Sequence, residues 1–257
     1  MAFSNRNNFG KASKQGAHGV ARVISKRGYC SRSQAEKLVR EGHVILRGKL
    51  VRDPESPAYE NDEILVDGTP VTASEFVYFA MNKPRGIVTT ASDEKGRKTV
   101  MDLFREQFTK MFPGKPMPHI APVGRLDAAS EGLLLFTNDT AWADRVLTDA
   151  THKKIYRVQV KGIPTGTELA QMEQGFNVAP RVFGESEEFM HADRATLHSE
   201  GEKNCWLEIT LSEGKNREIR RMLAHLGYEV MRLMRIQFDK FTLDDLKSGE
   251  IKKLEPN

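Results

Sequence analysis

Cysteine is scarce in this 257-residue chain: Cys30 and Cys205 stand far apart, with no CxxC or Cys/His spacing around either. That excludes a disulfide framework and a structural zinc site, and leaves two free thiols. The histidines at 119, 152, 191, 198 and 225 show no ligand spacing either, so no metal is implied. No apolar run approaches the roughly 18 residues that a membrane span needs. The first residues, MAFSNRNNFGKASKQGAHG, lack the apolar stretch and small-residue cleavage site of a secretory leader, so the chain is expected in the cytoplasm. Internal repeats are missing as well. What remains is 39% hydrophobic and 29% charged, the balance of a protein that can bury a core.

Acidic residues are rare at one end. Residues 1–50 hold eleven Lys or Arg against Glu36 and Glu41, a balance of +9, while the rest holds 28 against 33, or −5. A positive field this concentrated attracts a polyanion by counterion release, and nucleic acid is the commonest such partner. A membrane surface would require an amphipathic helix with large apolar anchors, which this segment does not have.

Residues 1–18 are almost free of apolar side chains and are expected to form a disordered basic tail. In VARVISKRG, Val20, Val23 and Ile24 fall at helical spacing, with Gly28 placed for a left-handed cap. SRSQAEKLVREG reads as a second helix: Ser33 and Glu36 match a capping box, Ala35, Leu38 and Val39 form a stripe, and Gly42 ends it. Two short β-branched runs follow, broken at Arg47-Gly48 and Asp67-Gly68. This stretch, 19–68, resembles the S4 RNA-binding domain, on the run GYCSRSQAEKLVREGHVILRGKLV. The resemblance implies that the helices present Lys26, Arg27, Arg32, Lys37 and Arg40 to structured RNA; for each alone, a solvated helix face reads equally well.

After a linker expected at 69–74, residues 75–257 change texture, with longer strands separated by Pro/Gly turns and helices. KIYRVQVKG alternates, placing Tyr156, Val158 and Val160 on one face, and WLEITLSEG places Leu207, Ile209 and Leu211 inward. GLLLFTND is apolar throughout, as for a strand buried on both sides. NREIRRMLAHLG reads as a helix with Asn216 as N-cap and Ile219, Met222, Leu223 and Leu226 on one face. The fold class expected is α+β: a small S4-like domain of two helices and a small sheet, then a mixed, mainly antiparallel sheet domain.

The stretch PVGRLDAASEGLLLFTND places Asp127 on a tight loop before a buried strand. From the residues alone, Asp127 reads either as a turn cap or as a working carboxylate. The stretch resembles the signature of the pseudouridine synthases that modify ribosomal RNA, and NKPRGIVTT, KIYRVQV, EGKNREIRRML and VMRLMRIQFDKFTLDDLKSGEIKKL resemble further blocks of that family in the same order.

The resemblance implies an isomerase that needs no metal or organic cofactor. Asp127 would be the nucleophile, attacking the uridine at the base or at the ribose anomeric carbon. Tyr156 would stack on the uracil, and Arg220 would pair with the Asp127 carboxylate. Arg125 would fill the gap left by an extruded nucleotide. Lys83 and Arg85 are expected to contact phosphate, or to be solvated turn residues. Two positions depart from the family's pattern: Ser130 where threonine is frequent, and Glu218 where glutamine is usual, a carboxylate expected to compete for Arg220 or to repel phosphate.

The substrate implied is ribosomal RNA, free or in an assembling subunit, with the large subunit favoured by TTASDEKGR and ASEGLLL, and the protein is expected to be a monomer. The competing reading is a non-catalytic S4-domain RNA-binding or ribosome-assembly factor. A hydrolase built on Asp127 and Glu131 leaves the RNA-binding segment unexplained.

Overall fold

The computed structural model describes residues 16–90, 93, 95–180 and 186–255. The basic tail read at 1–18 lies largely outside the described residues. The chain divides into two compact units, Met1–Glu75 and Phe76–Asn257.

The first unit contains strand β1 (His18–Gly19), helices α1 (Val20–Lys26) and α2 (Arg32–Glu41), then β2 (Val44–Leu46), β3 (Lys49–Val51), β4 (Pro57–Ala58), β5 (Ile64–Val66) and β6 (Thr69–Pro70). Strands β3-β2-β5-β6 form an antiparallel sheet, and β1 pairs with β4. Both hairpins turn on two residues of positive φ, Arg47-Gly48 and Asp67-Gly68, the pattern that matches the twist of the flanking strands. The α2 cap lies two residues before the expected one: Ser31 Oγ accepts from Gln34 N, and Gln34 reaches back to Ser31 N. Ser33 already lies within the helix. Val20, Val23, Ile24, Ala35, Val39, Val44 and Ile64 close a core around the two helices. The linker expected at 69–74 begins later, because Thr69 and Pro70 pair with β5 and Val71 is buried in that same core.

The second unit runs β7 (Tyr78–Lys83), α3 (Val100–Met111), β8 (Ala121–Val123), β9 (Glu131–Thr137), α4 (Thr140–Thr148), β10 (Lys154–Lys161), α5 (Gly166–Gln174), β11 (Phe176–Val178), β12 (Glu188–Met190), β13 (Arg194–Glu200), β14 (Asn204–Leu211), α6 (Glu218–His225), β15 (Glu229–Phe238), β16 (Phe241–Thr242) and β17 (Ile251–Leu254). Among the described residues its main sheet is ordered β13-β14-β10-β15-β9-β7-β17, with β16 on β15 and β8 on β9. Every pairing is antiparallel except β9 with β15. This is the α+β architecture expected.

Strand β9 explains its own sequence. Leu134 and Phe136 join the large core under α3, α5 and α6, while Leu133 and Leu135 join a second core under α4. A strand covered on both sides must be apolar at every position. Where β9 meets β15, Gly132 has φ +100°, and a Cβ there would collide with the backbone of Arg235. Glycine is therefore required at the first residues of β9, and it fixes where the preceding loop begins to descend.

Candidate active site

That loop, Gly124–Ser130, joins β8 to β9 and carries Asp127. Its backbone is held at every carbonyl from 126 to 130. Leu126 O accepts from Thr89 Oγ1 at 2.7 Å, Asp127 O from Lys83 Nζ at 3.1 Å, and Ala128 O from Gly86 N at 2.6 Å. Ala129 O accepts from Arg220 Nη2 at 3.1 Å and Ser130 O from Lys83 Nζ at 2.8 Å. Five consecutive carbonyls bound by donors from β7, its following turn and α6 leave the loop little freedom, which is how a short irregular segment acquires a defined geometry.

Lys83 was expected to meet phosphate or solvent; it is instead fully buried, with a third bond to the carbonyl of Pro84 at 3.0 Å. An ammonium has three donors, and here all three find carbonyl oxygens. Burial lowers its pKa to about 8, against the opposing pull of Asp127 and Glu131. The signal was in the alternation of β7, where Lys83 shares a face with buried Phe79 and Met81.

The Asp127 carboxylate receives Arg217 Nη1 on Oδ2 at 2.8 Å, both side chains being a little over one-third exposed. The expected partner was Arg220. Its guanidinium, half-buried, turns instead to Val230 O at 3.2 Å and to the Ala129 carbonyl, so it holds the loop rather than the carboxylate. Burial lowers the Arg220 pKa, with Arg217 adding to the effect and Asp127 opposing it. The N-cap of α6 is also Arg217 and not Asn216. Its backbone is left-handed, φ +53°, a conformation that costs an arginine roughly 1–2 kcal/mol. That turn is what sends the side chain toward Asp127 while Arg220, one helical turn on, points to the loop backbone.

Asp127 lies on a cleft of about 370 Å³, which is also lined by Tyr156, Arg125, Leu147, Arg217, Glu218 and Arg235. Tyr156 is 8% exposed and lies on the inward face of β10 with Val158 and Val160, as the alternation predicts. Arg125 is exposed on the loop itself, and Arg85 is exposed with its guanidinium 3.3 Å from Met231 O. The wall behind Tyr156 is cationic and dry. Lys154 is 6% exposed, its Nζ 5.2 Å over the Phe238 ring, and Arg235 is 3% exposed and donates to Leu133 O at 2.8 Å. Glu218, expected to compete for Arg220 or repel phosphate, is 3% exposed and faces Glu213 and Lys215 instead.

In the first unit the predicted basic residues divide. Arg27 is turned inward, its guanidinium donating to the carbonyls of Val71, Glu60 and Asp62, and so braces the fold rather than facing RNA. Lys26, Arg32, Lys37 and Arg40 are at the surface in ion pairs with Glu60, Glu36, Glu55 and Glu41, at 3.1 to 3.8 Å. Between residues 16 and 75 nine Lys or Arg are matched by nine Asp or Glu. Acids at 53–75 offset the excess read at 1–50.

Comparison with known proteins bears on what this cleft does. Residues 77–225 match the family described as RNA pseudouridylate synthase, and residues 20–64 match the S4 domain. Ribosomal large subunit pseudouridine synthase B of Bacillus subtilis (strain 168) is 35% identical over 240 residues, covering 93% of this chain and 92% of its own. An uncharacterized RNA pseudouridine synthase of Rickettsia conorii (strain ATCC VR-613 / Malish 7) is 35% identical over 242 residues, covering 92% and 96%. A solved structure described as a pseudouridylate synthase shares 28% identity, covers 93% of this chain and 96% of its own, and superposes with a TM-score of 0.59.

Proposed function

The chain belongs to the RNA pseudouridylate synthase family and carries an S4 domain, and from that premise we propose that it isomerises a uridine of large-subunit ribosomal RNA with Asp127 as nucleophile. The observation that carries the site is the Asp127 loop, bonded at five consecutive carbonyls and presenting a carboxylate to a guanidinium at 2.8 Å beside a buried tyrosine. The 35% identity to a large-subunit enzyme supports the substrate.

Isomerisation adds and removes nothing overall. The N1–C1′ bond of uridine breaks, the uracil turns in place, C5 joins C1′, and the proton on C5 leaves as N1 gains one. A carboxylate suits this because it forms a bond to the ribose or the base and releases it again. Arg217 directs the carboxylate and sets positive charge beside it, in a region where developing negative charge needs fixed donors. Tyr156, which lines the same cleft as Asp127, supplies an aromatic face for the uracil. The reacting atoms of a stacked nucleotide are hidden, so the uridine must swing out of its helix, and Arg125, exposed on the loop, takes up the vacated space. Arg85, Lys26, Arg32, Lys37 and Arg40 meet phosphate.

Ribosomal RNA from a strain lacking the gene, treated with purified protein and mapped by carbodiimide-dependent primer stops, tests this. The wild-type protein restores a stop in large-subunit RNA, and Asp127→Asn reduces the rate by about 10⁴-fold or more. Binding without conversion by the wild-type protein would instead make it a non-catalytic RNA-binding factor.

A further inference from the structure

Glu218 opens α6 directly after Arg217, the residue that reaches Asp127. Its Oε2 accepts from the backbone N–H of Lys215 at 3.1 Å, which closes the turn carrying Arg217. Its other oxygen, Oε1, is buried and receives no N–H or O–H donor from the described residues. What lies within hydrogen-bond reach is a second carboxyl, that of Glu213.

The surrounding cations bond Glu213 or backbone carbonyls, and none among the described residues donates to Glu218 Oε1. Lys215 Nζ bonds Glu213 at 2.7 Å and Phe189 O at 2.8 Å, and His191 Nδ1 lies 3.8 Å from Glu213. Lys154 Nζ, on β10, points to the carbonyls of Ser212 and Glu213, and Arg235, on β15, donates to Leu133 O. Asp193 is taken by Lys153. Two ionised carboxylates facing each other, Glu218 buried and Glu213 one-third exposed, repel, whereas one proton between them makes a short charge-assisted O–H···O⁻ bond. Burial, then Glu213, pushes Glu218 up to about 8. Burial also raises Glu213, but bonds from Glu218 and Lys215 bring it below the usual carboxylate range, which leaves the proton on Glu218.

We infer that Glu218 is a positioning residue: as a neutral acid it donates to Glu213, locks the 213–218 turn, and so holds Arg217 in the left-handed conformation that aims it at Asp127. The inference rests on the reading of Asp127 as nucleophile. When Glu218 ionises, the lock becomes a repulsion and the ion pair loses its anchor.

The test measures kcat and KM of the full chain from pH 6 to 9.5, by tritium release from ribosomal RNA labelled at uridine C5. Glu218→Ala lowers kcat about tenfold at pH 7 with KM little changed, and Glu218→Gln, whose amide donates the same bond without a proton to lose, restores it. One pH unit above half-ionisation about a tenth of a carboxyl stays protonated. The ratio of the Gln variant's kcat to the wild type's therefore rises about tenfold between pH 7 and pH 9. Lys83 is common to both proteins and cancels in that ratio. A flat ratio, or a Gln variant no better than Ala, overturns the inference.

A second measurement needs no turnover. In wild-type protein carrying ¹³C-carboxyl glutamate, one signal titrates above pH 7, is missing in Glu218→Gln and moves to lower pH in Glu213→Gln. If no glutamate titrates there, the inference fails while Asp127 keeps its role. If the wild type forms no pseudouridine at any pH, the proposed function fails, and the titration still decides whether the two carboxyls share a proton.

Discussion

The cations of the two units are put to opposite uses. In the S4 unit, Lys26, Arg32, Lys37 and Arg40 stand at the surface against carboxylates. In the catalytic unit, Lys83, Arg220 and Arg235 are half to fully buried and donate to backbone carbonyls. A surface pair is worth roughly 0–1 kcal/mol, so a phosphate displaces the carboxylate at little expense in stability. A buried cation bonded to neutral carbonyls makes no direct ion pair, and its removal leaves several orphaned acceptors. The first arrangement suits a partner that comes and goes. The second fixes one loop through Lys83 and Arg220, and the carboxylate that loop presents to the cleft is Asp127.

The sharpest way to break this comparison is Lys83→Met, which keeps the length and removes all three donors. The expected loss is about 3–5 kcal/mol in denaturant unfolding, together with loss of pseudouridine formation. Because burial depresses the folded-state pKa to about 8 from 10.5, the folded protein binds fewer protons than the unfolded chain between those values. The pH-linked part of the Lys83 contribution therefore rises with pH through that window and is gone below pH 8, where what remains is the bonding to three carbonyls that Lys83→Met removes. The stability difference between wild type and Lys83→Met should follow that slope above pH 8; a variant within about 1 kcal/mol of wild type at pH 7 would return Lys83 to the surface class.

Arg217 and Arg220 separate the two uses within one helix. Arg217→Ala removes a partly exposed pair, so stability should change by less than about 1 kcal/mol while kcat falls about 10²-fold. Arg220→Ala orphans the Ala129 and Val230 carbonyls, so stability should fall by about 2–3 kcal/mol along with kcat. Equal stability losses for the two would mean that Arg217 is structural and that its bond to Asp127 is incidental.

The same contrast governs what could be read in the sequence. Periodicity is a signal of burial, so Tyr156, Val158 and Val160 on β10, the four apolar residues of β9 and the stripe of α6 were all legible. The family blocks placed Asp127 in the cleft. Partners were not legible, because a cation's destination depends on the side chain's path. Arg217 and Arg220 are three residues apart on one short segment, and only the left-handed backbone at 217 decides which meets Asp127. Nothing in NREIRR announces that turn, since arginine rarely adopts it. Lys83 was legible in principle from the period of β7, but the Pro-Arg-Gly that follows reads as a solvated turn. Glu218 was visible as an acid without being visible as a buried one, for its partner, Glu213, sits five residues back across a loop.

The smallest effect tests the other half of the comparison. Arg32 and Arg40 share Glu36, and Arg32 also reaches Glu55. Replacing both arginines with alanine leaves one half-sheltered carboxylate and one open one in water, neither of which needs a partner, so stability should move by less than about 1 kcal/mol. If RNA phosphate displaces those acids, KM should rise a few-fold at low salt and kcat should hold. The slope of log KM against log salt should fall by about 0.7–0.9 for each phosphate that the variant no longer neutralises. Arg27→Ala is the control within the same unit: it frees the carbonyls of Val71, Glu60 and Asp62, so it should cost about 1–3 kcal/mol in stability and leave the salt slope alone. An Arg27 variant that alters the slope, or an Arg32/Arg40 variant that does not, would mean that RNA docks on a different face of the S4 unit and that these ion pairs are simply solvated surface.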